Sequence, residues 1–503
     1  MTSIAPIFRL NDDCLHEVLL DVSLASPAYS REALLEKTTF LSVTHVCAYW
    51  RKFALASPIL WSFIEFSWSI GHILLARILS RSCGAPLHID YKGAGLERAH
   101  THSVFNYNIL RGFRFRYDLT AQLLAATSAR IATLVLRNLN EDEWHIFRKR
   151  LQISPTPQLR CIRLESADGS LRGFNTRLIS CPDDSLREIC IDGLNLEFPQ
   201  CINLTQLVLS RITPPTLDLL SRIIRSNLSL EILHIGLVHS YRIDHGQPSE
   251  TNRSPIHLSR LRSLNIKSQS YADHVYLLST ITFPSDARIG LSFDQPYWPF
   301  GEQIDIATCC SSMMDILSAI EDLSVTISRD NTGEWTRCTY LIEHVAESRS
   351  FIAKWSLNSS YGDLQRHMSI FSFPALHRLR LHSRSALLPE EGWSSLPIFP
   401  DITELELDVQ PDMLASVLHM LQRRTDSHPH APDYVWPRLE RLTIIPQPLI
   451  DKVVTYYIAQ ARHTILLPTP TVEIHCQVEA VPEGTSTASD SNARASAGGG
   501  DTI

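Results

Sequence analysis

The chain has 503 residues, is 44% hydrophobic and 20% charged, and carries a net charge of −7. That length fits two to four domains or one long repeat array, and the composition is that of a globular protein. The acidic balance excludes an overall attraction to nucleic acid or to an anionic membrane surface, and no stretch of about 18 or more apolar residues offers a membrane span.

The first twenty residues carry Arg9, Asp12, Asp13, His16 and Glu17 rather than the apolar run of a secretory signal. An intracellular protein, cytoplasmic or nuclear, is therefore expected. The 11 cysteines are scattered and form no C-x-x-C pair. They read as small core residues, not as a disulfide framework or a zinc site.

The chain opens with helical spacing. Leu15, Val18, Leu19 and Val22 fall at i, i+3, i+4 and i+7, with Asn11, Asp12 and Asp13 placed to cap the start. "LASPAYSRE" (24–32) breaks the pattern, and Val43, Val46, Cys47 and Trp50 then repeat it. Ser57-Pro58 ends or bends that second helix, and Leu60 and Trp61 follow at once.

Beyond Trp61 short strand-like pieces alternate with helical ones. One form recurs: apolar, two others, apolar, one other, apolar. It appears in "IATLVL" (131–136), "LRCIRL" (159–164), "LREICI" (186–191), "LTQLVL" (204–209), "LEILHI" (230–235) and "LRSLNI" (261–266). It returns in "IEDLSV" (320–325), "LHRLRL" (376–381), "ITELEL" (402–407) and "LERLTI" (439–444). Starts at 131, 159, 186, 204, 230 and 261 step by 28, 27, 18, 26 and 31 residues. The wider gaps hold degenerate copies, "RIGLSF" near Ile289 and "IAKWSL" near Trp355. A strand plus a helix cannot bury its own apolar face, so such units stack. "PPTLDLLSRIIRSN" (214–227, with Leu228 closing its stripe) and "PDMLASVLHMLQRR" (411–424) supply helices between strands. "VEIHCQV" (472–478) reads as a last strand, and the Ala/Ser/Gly-rich residues 481–503 read as a disordered tail.

Enzyme-like fragments are weak. "GAGLER" (93–98) lacks the third glycine of a dinucleotide loop, and "HPH" (428–430) reads as a polar loop. "YLIEHVAE" (340–347) reads as a solvated helical face, with Glu343 and Glu347 at i, i+4. "RGFRFRY" (111–117) interleaves arginine with aromatics, which suits either nucleic-acid stacking or a half-buried strand, and the acidic net charge favours the strand. No catalytic residue, cofactor or metal is expected.

"FRLNDDCLHEVLL" followed by "LSVTHVCAYWRKFALASPILW" resembles the F-box module of fungal proteins. The carrying residues are Leu10, the stripe Leu15, Val18 and Leu19, the core Val46, Cys47, Trp50 and Arg51, and the closing Ser57 to Trp61. Asn11 stands where the family usually has proline. The later repeats resemble leucine-rich arrays, although the usual asparagine after the strand is mostly missing.

The resemblance implies an α/β chain: a small three-helix F-box at 1–65, an irregular leucine-rich repeat-like solenoid at 66–480 and the tail at 481–503. It implies a non-enzymatic substrate receptor of a cullin-type (SCF) ubiquitin ligase, or else a repeat-based scaffold that uses the F-box for assembly without ubiquitin transfer. The partners would be a Skp-family adaptor with its cullin and an unidentified protein substrate, with no nucleic acid and no membrane. Leu10, Leu15, Val18, Leu19, Val46, Cys47, Trp50, Leu60 and Trp61 are the candidate adaptor contacts. For Trp50 and Val46 an internal core position and a partner contact are equally open.

Overall fold

The computed structural model describes residues 11–24, 45–67, 72–93, 107–151, 155–167, 176–177, 184–194, 196–197, 201–212, 217–237, 254–297, 310–330, 337–345, 350–357, 371–383, 401–409, 414, 438–445 and 473–476. The chain is mixed α/β. Its first elements are α1 (Asp12–Leu24), α2 (Ala48–Ala56) and a 3-10 turn (Pro58–Trp61). The sheet then begins, with β1 (Phe63–Ser67), α3 (His72–Arg81), β2 (Leu87–Lys92), α4 (Tyr107–Ala126), β3 (Ile131–Leu139), α5 (Glu141–Leu151) and β4 (Cys161–Ser166). Next come β5 (Thr176–Arg177), β6 (Glu188–Asp192), β7 (Leu196–Glu197), β8 (Gln206–Ile212), α6 (Leu217–Arg225), β9 (Ile232–Leu237), β10 (Ile256–His257), β11 (Ser263–Ser270), α7 (Tyr271–Thr280), β12 (Ile281–Thr282) and β13 (Arg288–Tyr297). The described elements end with α8 (Ser311–Ser318), β14 (Asp322–Asp330), β15 (Arg337–Val345), β16 (Ser350–Leu357), β17 (Arg378–Ser383), β18 (Glu404–Val409), β19 (Arg441–Ile444) and β20 (Glu473–Cys476).

A 16-stranded sheet runs β1-β2-β3-β4-β6-β8-β9-β11-β13-β16-β15-β14-β17-β18-β19-β20. Every pairing is parallel except β14–β15 and β15–β16. The recurring apolar form explains the parallel part. Its three apolar positions are all buried, as in Leu159, Ile162 and Leu164, or Leu204, Leu207 and Leu209. They line one face of the sheet, where α3, α4, α5, α6, α7 and α8 add their own apolar side chains to the same core. The opposite face stays partly open, as the alternation in β9, β17 and β18 records.

A repeated turn sets the register. The N–H of the leading residue bonds the carbonyl three residues back, from Leu159 to Thr156, Leu230 to Asn227, Leu261 to Leu258 and Leu376 to Phe373. The next N–H reaches the preceding strand, from Arg187 to Arg160, Thr205 to Arg187, Glu231 to Thr205 and Arg262 to Glu231. Two strands even share a bulge. "LVLRNL" in β3 and "LVLSRI" in β8 each shift register beside a left-handed residue, Asn138 (φ 52°) and Arg211 (φ 50°). Arg211 is held there by Asp192, at 2.6 and 2.8 Å, and by the Ser166 carbonyl. Buried Asn227 ties two units together: its amide donates to the Cys201 and Ile223 carbonyls, and its oxygen accepts the Leu204 N–H at 2.8 Å.

Four local expectations change. "RGFRFRY" lies inside α4, because Tyr117, Ala121 and Leu124 form a buried helical stripe that outlasts the short alternation; Phe115 points outward at 66% exposure. "YLIEHVAE" contributes to β15, a strand paired on both sides, with Ile342 buried. "IAKWSL" is a strand, β16, yet it does not fill a step between 320 and 376. Short connections fold β14, β15 and β16 into an antiparallel meander, so β16 pairs with β13 and β14 pairs with β17. Leu228, expected in the α6 stripe with Leu220 and Ile224, is exposed beyond the helix end. "HPH" and residues 481–503 lie outside the described residues, as does most of 411–424.

Candidate docking site

The N-terminal elements have their own small core. Leu15 and Leu19 of α1, Trp50 and Ala54 of α2, and Leu60 and Trp61 of the 3-10 turn pack together, flanked by Leu20, Cys47, Phe53 and Ile78. Local chemistry fixes each piece. Asn11 caps α1, its side-chain oxygen accepting the Cys14 N–H at 2.8 Å. Cys47 caps α2, its sulfur accepting the Trp50 N–H at 3.4 Å. Ser57 is extended before Pro58, as a pre-proline residue prefers, and Pro58 opens the 3-10 turn. The Tyr49 hydroxyl bonds the Asp12 carboxylate and so joins the two helix starts. The Trp61 indole N–H donates to the Ala54 carbonyl at 2.7 Å, and the Arg81 guanidinium sits 4.5 Å over its ring. Trp61 thus locks α2 against α3.

The nine candidate contacts separate into groups. Leu15, Leu19, Trp50, Leu60 and Trp61 are brought together on the inside, with Trp50 6% exposed. Val18 and Val46 face outward, 41% and 55% exposed. Cys47 is half-buried as the helix cap, and Leu10 lies outside the described residues. Tyr49, Leu55 and Ile59 are further exposed apolar side chains absent from the sequence reading. The helical stripe expected through Val46, Cys47 and Trp50 does not form, because α2 starts only at Ala48 and Cys47 is its extended cap. The Trp50 indole Nε1 is buried without a hydrogen-bond partner among the described residues. An unsatisfied buried donor costs about 1–3 kcal/mol.

The open face of the sheet is a second candidate surface, and on it arginines meet carboxylates across strands. Arg137 pairs with Asp90 at 2.9 Å and Arg163 with Glu188 at 3.3 Å. Arg380 bonds Asp322 at 2.6 Å, Arg378 lies 3.2 Å from Glu406, and Arg441 meets Glu404 at 2.7 Å. Asn265 and Arg160 are exposed as well, and Arg262 is 80% exposed. Burial pushes the Cys161 thiol up to about 12 and raises that of Cys190, so both are poor nucleophiles. Burial lowers the imidazoles of His88 and His234.

The buried polar residues of α7 do not form a catalytic relay. Ser268 donates to Asp273 at 2.6 Å, whereas the two ring nitrogens of His274 face the Ser270 and Ile266 carbonyls at 2.9 and 3.3 Å. The histidine touches neither the serine hydroxyl nor the carboxylate. Near α5, Asn140 and Glu143 form a reciprocal cap: the Glu143 N–H bonds Asn140 Oδ1 at 3.0 Å, and the Asn140 N–H bonds Glu143 Oε2 at 3.1 Å. Tyr91 donates to the same carboxylate at 2.8 Å. Among the described residues no group of three or more His, Cys, Asp or Glu is placed to hold a metal, and no helix is long and apolar enough to cross a membrane. A scan of protein-family models and a comparison with curated protein sequences return no match to this chain.

Proposed function

We propose that this chain is the substrate-recognition subunit of a cullin-type ubiquitin ligase. Its N-terminal F-box module docks on a Skp-family adaptor, and an irregular leucine-rich repeat-like array holds a protein substrate for other subunits to modify. The observation that carries the reading is the N-terminal module itself. The motif residues Leu15, Leu19, Trp50, Leu60 and Trp61 make a small core distinct from that of the sheet, with Ile78 packed against both. Around it Val18, Tyr49, Leu55 and Ile59 remain exposed on short helical elements, and Val46 just before α2. Apolar side chains of this kind are what a helical partner would cover, each contributing up to about 1.5–3 kcal/mol when fully buried. The in-order parallel strands offer a long, half-open face beside that module, which suits holding rather than transforming a ligand.

The test is capture of the adaptor by the tagged chain. Val18→Asp with Val46→Asp places charges at two exposed positions, so the core stays intact and adaptor binding is lost. Adaptor binding at wild-type strength in a folded double variant refutes the docking reading. Adaptor capture without cullin points instead to assembly without ubiquitin transfer.

A further inference from the structure

The arginines of the open strand face have close carboxylate partners, whereas among the described residues those at its amino-terminal rim have none nearer than the 3.8 Å of Arg262 to Glu231. The residue after each leading apolar position forms a row across neighbouring strands, linked by backbone hydrogen bonds: Arg160, Arg187, Thr205, Glu231, Arg262 and then Arg288. Arg160, Arg187, Arg262 and Arg288 are exposed, as is Arg260 in the turn before Arg262. Among the described residues Arg187 bonds the backbone carbonyls of Asp184 and Leu186. Arg262 has Glu231 at 3.8 Å, the long limit of an ion pair. Asp184 and Asp286 stand in adjoining turns and pair with no arginine among the described residues.

The other half of the rim continues the same row with the opposite character, through Glu321, His377, Thr403 and Glu440. Like charges on adjacent strands destabilise a sheet, and Arg160 beside Arg187 and Arg262 beside Arg288 are such pairs. A chain of net charge −7 has acidic residues to spare, yet this half of the row holds four arginines and a single carboxylate, Glu231.

We propose that the basic half of this rim receives an acidic polypeptide segment of the bound protein, an assignment that rests on the receptor reading for that protein's role. Six strand positions at about 4.8 Å span roughly 24 Å, the length of about seven extended residues. Carboxylates spaced along such a segment meet guanidiniums that have five N–H donors each, with Glu231 at 3.8 Å from Arg262 the nearest competing carboxylate among the described residues.

The experiment titrates a fluorescent twelve-residue Asp/Glu-rich peptide into the full chain, beside its Asn/Gln counterpart and a single-stranded oligouridylate. The acidic peptide should bind at least about tenfold more tightly than the amide peptide and weaken as salt rises. Arg160→Glu, Arg187→Glu, Arg262→Glu and Arg288→Glu together should weaken it at least about tenfold, and Glu321→Lys with Glu440→Lys should not weaken it. Should the fourfold variant misfold, Arg262→Gln alone should still cost about twofold. Equal binding of both peptides overturns the proposal, as does insensitivity to the arginine variants or tighter, arginine-dependent binding of the oligouridylate. Adaptor capture, measured on the same variants, should be unchanged. Peptide binding without any adaptor capture would remove the ligase reading and leave the rim assignment standing.

Discussion

His274 should make this protein acid-sensitive through one side chain. It is fully buried on α7, its ring stacked 4.2 Å from that of Phe293, with carbonyl oxygens at both nitrogens. Burial pushes its pKa down from 6.5 to about 4, although the Ser270, Ile266 and Ser292 carbonyls favour the charged ring. Unfolded, the same imidazole takes up its proton near its ordinary value of about 6.5. Between those values the unfolded chain binds more protons, so stability is full above about pH 6.5 and falls as the pH drops toward 4. At pH 5 the linkage amounts to about 2 kcal/mol. Its neighbour Asp273 acts in the opposite sense, because burial raises its carboxyl pKa and the folded state then gains a proton first as the pH falls. The assay is the urea midpoint at pH 7 and pH 5 for the native chain and for His274→Gln, whose amide still donates to a carbonyl but does not titrate. The native protein should lose about 2 kcal/mol more than the variant over that interval. Equal losses would show that the buried imidazole is not the source and would refute the reasoning.

Three further substitutions probe the packing that positions the two surfaces. Glu143→Ala removes the reciprocal cap of α5 and the Tyr91 acceptor, and should cost about 2–4 kcal/mol by chemical denaturation. Gly93→Ala places a methyl group 2.5 Å from Glu143 Oε2 and 2.6 Å from the Asn138 carbonyl, so a loss of about 1–3 kcal/mol in the same assay is expected. Asn227→Ala deletes two buried hydrogen bonds between successive units and a third to the Ile223 carbonyl of its own helix, and should lower stability by about 2–4 kcal/mol, with hydrogen exchange rising first at the Leu204 amide.

Much of the strand array was legible because one short pattern carries it. A leading apolar residue closes a turn, and two more at period two point into the core, so each copy names its own buried face. Helix caps were legible for the same local reason, as Asn11 shows. The errors came where a short window was read for a long element. The alternation in "RGFRFRY" is real, but the stripe from Tyr117 to Leu124 outweighs it over twenty residues. Glu343 and Glu347 have helical spacing, yet β14 and β16 on either side supply a ladder that local propensity does not know about.

The sequence by itself determined which positions of the recurring strands would be buried, because hydrophobic period and turn chemistry act within a few residues. Tertiary structure alone decided the strand order around β14, β15 and β16, since pairing partners are chosen by what else is in reach. It also decided which motif residues are interior. Leu15 and Val18 are equally apolar in the sequence, but only contact with Trp50, Leu60 and Trp61 takes one out of water and leaves the other at the surface. Charge followed the same rule: an arginine's partner, or its lack of one, is set by the neighbouring strand and not by the neighbouring residue.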